Sequence, residues 1–178
     1  MEELKEFTIP FVGLKVGEHT FKFEIDNTFF EHFEYDEFND AKIHLDVLLN
    51  KKTTLLEFTL SFEGEVNVNC DTTNEPYHQG VNGEYHFVVK FGAELNDENE
   101  DLLILPHGSY QVNIQQYIYE SIVLAMPTRR IHPGIEDGTL KSEILEKLEE
   151  LSPKLENNSE EESTDPRWDD LKKLLTDK

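Results

Sequence analysis

The chain has 178 residues and a formal net charge of −22 at pH 7, because 38 acidic side chains face only 16 lysines and arginines. A field of this sign repels phosphate backbones and anionic membranes, which excludes a surface that grips nucleic acid broadly. No apolar run approaches the roughly 20 residues of a membrane-spanning helix, and the start MEELKEF lacks a signal-peptide profile, so we expect a soluble cytoplasmic protein that binds no membrane.

The N-terminal region predicts two strands and a short helix. Residues 7–11 place Phe and Ile on one face, and residues 21–25 alternate apolar with charged side chains, the two-residue period of a strand. Asp26 then begins a run of cap-forming residues before TFFEHFEYDEF, whose four phenylalanines fall loosely at helical spacing.

The longest predicted strand spans residues 55–70, LLEFTLSFEGEVNVNC. Its alternation continues in phase after Gly64, which predicts a bend or bulge within one strand. Residues 43–49 and 84–91 alternate in the same way, and the Asn82-Gly83 dipeptide before the latter is typical of a tight hairpin turn. The three strands therefore predict an antiparallel meander.

The following region predicts the helix that packs on this sheet. Residues 94–101, ELNDENED, are interpreted as a solvated loop, since they lack the ligand spacing and glycine of a calcium loop. After a short apolar strand at 102–105, the stretch 112–125 repeats isoleucine every four residues and stops at Pro127, which predicts a core-facing helix. The expected fold is α+β: an antiparallel sheet, flat or curled into an open barrel, with one packing helix and a C-terminal helical appendage.

Three parts are expected along the chain. Residues 1–127 form the sheet domain with its packing helix, residues 128–164 a linker with one helix and an acidic mobile stretch, and residues 165–178 a short C-terminal helix. In the linker, Thr139 is predicted to cap a helix that runs to Leu151. The last helix is too short to be stable alone. It docks on its own sheet, which is the favoured interpretation, or it serves as a recognition helix for a partner.

The sequence contains no recognisable catalytic motif and no pattern typical of a metal or cofactor site. The sequence lacks a Gly-rich phosphate loop, a nucleophile elbow and a metal-spaced Cys/His cluster. Cys70 is the single cysteine, and His78 and His86 lie near it along the chain. Strand register places Cys70 inward and His86 outward, which favours a core thiol over a nucleophile or metal ligand.

Four segments together resemble the YceD family, named for large ribosomal RNA subunit accumulation and found in bacteria and plastids. They are, in order, CDTTNEPY, YIYESIVLAMP, RRIHPG and DPRWDDLKKL. The resemblance implies a non-enzymatic factor needed for the synthesis, processing or stability of 23S ribosomal RNA. The family turn often reads Cys-x-Arg-Cys, whereas Cys70-Asp71-Thr72-Thr73 keeps only the first cysteine, and the family's linker cysteine is missing from residues 131–138. A metal or thiol function is therefore not expected here.

A net charge of −22 and a role in ribosomal RNA production are reconciled in two ways. The favoured hypothesis is a basic protein partner, ribosomal or rRNA-processing, whose charge complements the acidic surface. The other is a local RNA contact by Arg129, Arg130, His132 and Arg167. The candidate partner-binding residues are Arg129, Arg130, His132, Asp165, Pro166, Arg167, Trp168 and Leu171. The competing functions are an acidic binding module or chaperone for another basic protein, and a hydrolase that uses histidines or acidic-loop carboxylates.

Overall fold

The computed structural model describes residues 4–99 and 101–152. A 3-10 turn at Lys5–Phe7 precedes the strands and helices. The strands are β1 Thr8–Pro10, β2 Gly17–Asp26, β3 Asp40–Lys51, β4 Leu55–Asn69, β5 Pro76–Gly92, β6 Asn96–Asn99, β7 Leu102–Pro106 and β8 Gln111–Asn113. The helices are α1 Asn27–His32, α2 Gln115–Ala125, α3 Pro133–Glu136 and α4 Glu143–Leu151.

Six strands form one sheet in the order β2-β3-β4-β5-β7-β6, and β1 pairs with β8 in a separate two-stranded sheet. All neighbours in the large sheet are antiparallel except β5 and β7, which run parallel. The sheet has two edges and is not closed into a barrel. The expected α+β class and the antiparallel meander are confirmed, with one parallel pair added because a connection through β6 separates β5 from β7.

Gly64 lies within one long strand, as predicted, but the bulge is wrong, because β4 pairs with β3 and β5 without a register shift. Gly64 lies opposite Ile43 on one side and Val81 on the other. A Cβ atom at position 64 would lie 2.3 Å from the carbonyl oxygen of Lys42 and 2.6 Å from Cα of Ile43. The glycine is therefore required by the close approach of β3 to β4.

The hairpin predicted at Asn82-Gly83 is also wrong, since both residues lie inside β5. The β4–β5 turn lies earlier, where Asn74 adopts a left-handed φ of 59° and its N–H donates to the carbonyl of Cys70 at 2.8 Å. Gly83 pairs with Phe62, and a Cβ at position 83 would lie 2.6 Å from the Phe62 ring. The absence of a side chain at Gly83 therefore leaves room for the buried ring of Phe62.

The acidic segment 94–101 contains a strand, which corrects its interpretation as a loop. β6 pairs antiparallel with β7 through Asn96 and Ile104 and forms the outer edge of the sheet, with all four of its residues exposed. Charged side chains are common on exposed edge strands because they oppose pairing with another chain. The composition of this segment therefore suits an edge.

The core lies between the inward face of the sheet and α1, α2 and β8. The inward positions of β3 and β4 are almost all buried, as alternation predicts. Ile118 and Ile122 of α2 are completely buried, whereas Ala125 is exposed. The helix starts three residues later than predicted, because Asn113 belongs to β8 and its side-chain oxygen accepts the N–H of Gln115 at 2.9 Å.

Contacts divide the chain into two compact units, Met1–Ser142 and Glu143–Lys178. The predicted cap at Thr139 is wrong: its N–H and hydroxyl both donate to Asp137, at 2.9 and 2.5 Å, and the helix of the second unit, α4, begins at Glu143. Asp26, by contrast, caps α1 as predicted, accepting from the N–H of Thr28 at 3.0 Å.

Candidate functional site

The linker after α2 is tied to the β4–β5 turn through Arg130. Its guanidinium donates to Glu37 at 2.6 Å and lies 3.5 Å from a carboxylate oxygen of Asp71. The hydrogen bond with Glu37 is the largest of the effects that raise the pKa of Arg130. Two carboxylates therefore offset this cation, whereas Arg129 is exposed.

His132 lies in the same connection and is also occupied in the fold. Its Nδ1 atom accepts the N–H of Gly134 at 2.9 Å and so caps α3. Its backbone N–H donates to Sγ of Cys70 at 3.3 Å, and its ring lies 5.4 Å from the ring of Tyr77. Because Nδ1 is an acceptor, the neutral imidazole carries its proton on Nε2.

Cys70 is buried as the inward-facing thiol that strand register predicts, with 2% of its surface exposed. Burial raises the pKa of this thiol, but hydrogen bonds from the Thr73 side chain and from the backbone N–H groups of His132, Thr73 and Thr72 outweigh it, so the pKa falls to about 7. Thr73 is itself 2% exposed. Thr73 and the linker residue His132 therefore both bond to the sulfur of Cys70.

His78 and His86 do not join Cys70 in a pocket. Both lie on the outward face of β5, where His78 is 3.8 Å from Glu65 and His86 is 2.7 Å from Glu84. Cys70 follows the end of β4 and is buried in the core. Within residues 4–99 and 101–152, no group of three or more His, Cys, Asp or Glu side chains could hold a metal ion. His78 and His86 therefore do not converge on Cys70.

The remaining predicted partner-binding residues lie outside the described part of the chain. They are Asp165, Pro166, Arg167, Trp168 and Leu171. Their role stays a proposal, as does that of Arg129, Arg130 and His132.

The outward face of strands β2 to β5 is polar, with acidic and basic side chains interleaved. Its acidic residues are Glu18, Glu24, Asp26, Asp40, Asp46, Glu57, Glu63, Glu65 and Glu84, and its lysines are Lys22, Lys42 and Lys90. Several of these charges meet across the strands: Lys22 is 3.1 Å from Asp46, and His44 is 2.7 Å from Glu24. An open depression of about 580 Å³ lies here, with Glu63 and Glu84 on its rim. Part of the acidic charge of this face is thus already paired.

A second depression, which we call the α2 cleft, lies between α2 and the β7–β6 edge of the sheet and measures about 880 Å³. Tyr117 and Tyr85 stack in its wall with ring centroids 6.3 Å apart. Leu124, which is 82% exposed, and the carboxylates of Asp97 and Glu120 also line the cleft. Burial is the main cause that raises the pKa of Tyr117 to about 12, followed by the charges of Tyr85, Asp97 and Glu120. Its phenol is therefore neutral at physiological pH.

The α2 cleft was not found from the sequence, although two signals for it were present. Leu124 follows Gln116 and Glu120 at steps of four, as an apolar residue on the exposed stripe of α2. Leu95 is an apolar residue within an acidic segment. Neither signal shows that the two residues line one cavity, since they lie on different elements.

The fold and these sites define an acidic α+β protein with a polar outward sheet face and a cleft beside α2 that combines apolar and acidic side chains. A model of the family described as large ribosomal RNA subunit accumulation protein YceD matches residues 58–175, about two thirds of the chain. The chain therefore belongs to this family, as its sequence segments suggested. Comparisons with curated proteins and with solved structures found no match. In the part of the chain that the structure describes, no helix is long and apolar enough to span a membrane.

Proposed function

We propose that this protein is a non-enzymatic, cytoplasmic factor that supports the synthesis, processing or stability of 23S ribosomal RNA by binding a basic ribosomal or rRNA-processing protein. The observation that carries the proposal is the family match over residues 58–175. The family's description names accumulation of the large ribosomal RNA and no chemical reaction. A binding role also agrees with the burial of Cys70 beyond the end of β4, whereas His78 and His86 are exposed on β5.

A protein partner is favoured over RNA by the distribution of charge. The net charge of −22 opposes a phosphate backbone over most of the surface. The cationic patch expected around Arg129 is weakened, because Arg130 is paired with Glu37 and Asp71. Ribosomal proteins are basic as a class, so an acidic factor attracts them electrostatically, and the RNA is contacted by the basic protein and not by the factor.

Depletion in a bacterium that carries this protein tests the role. We expect the ratio of large-subunit to small-subunit ribosomal RNA to fall when the protein is depleted and to recover when it is restored. An unchanged ratio overturns the proposal.

Affinity capture then identifies the mode of binding. With the tagged protein as bait, we expect large-subunit proteins or processing factors to be captured, to resist ribonuclease treatment and to be released by salt, because attraction between surface charges is screened. Loss of capture after ribonuclease treatment points to direct RNA contact. Capture of basic proteins unconnected with ribosomes points to a general acidic chaperone.

A further inference from the structure

The α2 cleft combines apolar surface with uncompensated negative charge. Leu124 and Leu95 are among the most exposed large hydrophobic residues of the described chain, at 82% and 60%, and both line this one cavity. Buried Leu103 and Leu105 of β7 lie beneath them. Exposed apolar side chains gathered in a concave site are typical of a binding surface.

The charge of the cleft has one sign. Apart from its tyrosines, the ionisable side chains that line it are Asp97 of β6 and Glu120 of α2, and no lysine, arginine or histidine is among the lining residues. Glu120 accepts a hydrogen bond from Gln116 at 2.6 Å, and among the described residues neither carboxylate takes part in an ion pair. This differs from the outward sheet face, where Asp46 is paired with Lys22.

These features together select the chemistry of the ligand. A lysine or arginine side chain has an aliphatic stem that can pack along Leu124 and the rings of Tyr117 and Tyr85, while its charged end reaches Asp97 or Glu120. An apolar side chain next to it in sequence would cover Leu95. A phosphate group finds two carboxylates and no cation, so the lining opposes RNA.

We propose that the α2 cleft is the site that binds the partner protein, through a segment of the partner that alternates lysine or arginine with apolar residues. This inference rests on the proposed function for the identity of the partner. Asp97 and Glu120 bind the cation, Tyr117 and Leu124 contact its aliphatic stem, and Leu95 contacts the apolar neighbour.

A short fluorescent peptide that alternates lysine and arginine with leucine tests the site, with binding to the full chain measured by fluorescence anisotropy. The double variant Asp97→Asn, Glu120→Gln keeps the shape of the cleft and removes its charge. We expect it to weaken binding about tenfold, because each carboxylate near a protein surface contributes a few-fold to the affinity. The matched control is Glu63→Gln, Glu84→Gln on the outward sheet face, which removes the same charge and leaves the affinity within about twofold if binding occurs at the cleft.

The apolar contribution is tested by Leu124→Gln. We expect about a fivefold loss, since part of a leucine side chain is no longer buried by the ligand. Val16→Gln is its control, because Val16 is also an exposed hydrophobic residue, at 65%, and does not line the cleft. Both positions are solvent-exposed, and equal thermal transitions verify that the variants fold.

Equal losses in the two double variants would mean that the peptide follows the overall charge, and would overturn the proposal. Short single-stranded RNA that binds the full chain and loses affinity on Leu124→Gln would assign the cleft to RNA instead. Sedimentation that shows a dimer disrupted by Leu124→Gln would assign it to a second copy of the chain. Rescue of depleted cells separates this inference from the proposed function. If the peptide binds at the cleft but depletion leaves ribosomal RNA unchanged, only the proposed function is contradicted. If the Asp97→Asn, Glu120→Gln variant fully restores ribosomal RNA in depleted cells, only the role of the cleft is contradicted.

Discussion

Two hydrogen bonds join Asp71 to the main chain of Arg130, one through the Asp71 N–H and one through its carboxylate. The N–H of Asp71 donates to the carbonyl of Arg130 at 2.8 Å, and the N–H of Arg130 donates to Oδ2 of Asp71 at 2.7 Å. These residues are 59 positions apart in sequence, so the bonds close a long loop between the β4–β5 turn and the linker. Cys70, which precedes Asp71, and His132, which follows shortly after Arg130, are joined in turn by the bond from the His132 N–H to Sγ of Cys70 at 3.3 Å.

Arg130 and its neighbour provide a matched pair for testing this contact between the turn and the linker. Arg130→Gln removes the cation that Glu37 and Asp71 share. We expect the free energy of unfolding to fall by about 1.5 kcal/mol, at the low end for hydrogen bonds to charged groups because the partners are partly exposed. Urea denaturation measures it, and Arg129→Gln, at an exposed position, should leave the transition almost unchanged. Equal effects of the two substitutions would contradict a structural role for Arg130.

Replacing each of three glycines of β4 and β5 by alanine should lower the free energy of unfolding by very different amounts. Gly64→Ala drives a Cβ into the backbone of β3, so we expect a loss of about 3 kcal/mol or more. Gly83→Ala meets the Phe62 ring, which can shift slightly, and should cost about 1 to 2 kcal/mol. Gly80→Ala is the control in the same strand, since no atom lies within 4 Å of its added Cβ. Thermal and urea unfolding should rank the variants in this order, and a Gly80→Ala variant as unstable as Gly64→Ala would refute the packing argument.

The lowered pKa of Cys70 predicts a pH dependence of stability. The thiol titrates near 7 in the folded chain and near 9.0 when unperturbed. Folding therefore favours the thiolate, and this stabilisation is fully present above pH 9 and is lost as the pH falls through 7. For this pKa difference of about two units, the stabilisation amounts to about 2 to 3 kcal/mol.

The measurement is the free energy of unfolding of the wild type and of Cys70→Ala between pH 6 and 9. The difference between them should grow in favour of the wild type as the pH rises, whatever the fixed cost of the lost sulfur contacts. A difference that is constant over this range would contradict the lowered pKa. Ultraviolet absorption of the thiolate provides an independent check, because Cys70 is the single cysteine.

Truncation after residue 156 separates the two hypotheses for the C-terminal residues. If residues 165–175 are the recognition element, the truncated chain should keep its thermal transition and lose capture of large-subunit proteins. If their main function is docking on their own domain, the transition itself should fall in temperature. Trp168→Ala in the full chain is the milder variant. It should weaken capture if the segment is the recognition element, and lower the transition temperature if the segment docks on its own domain. Unchanged folding together with unchanged capture would exclude both roles.

Local patterns in the sequence determined most of the sheet and the first helix. Alternation over residues 43–49, 55–70 and 84–91 predicted three strands and the inward face of each, and Asp26 predicted the start of α1. The inward position of Cys70 followed from the same alternation. These features depend on residues within a few positions of each other, where the period of the backbone alone decides which side chain points into the core.

Only the tertiary structure decided the features that join distant residues. The turn signal at Asn82-Gly83 was overridden because Phe62, on the neighbouring strand, needs a residue without a Cβ opposite it. An acidic segment became the edge strand β6 because β7 offered it backbone hydrogen bonds. The contact between His132 and Cys70 and the α2 cleft have the same origin. Both form by packing between residues far apart in sequence, and no local pattern predicts such contacts.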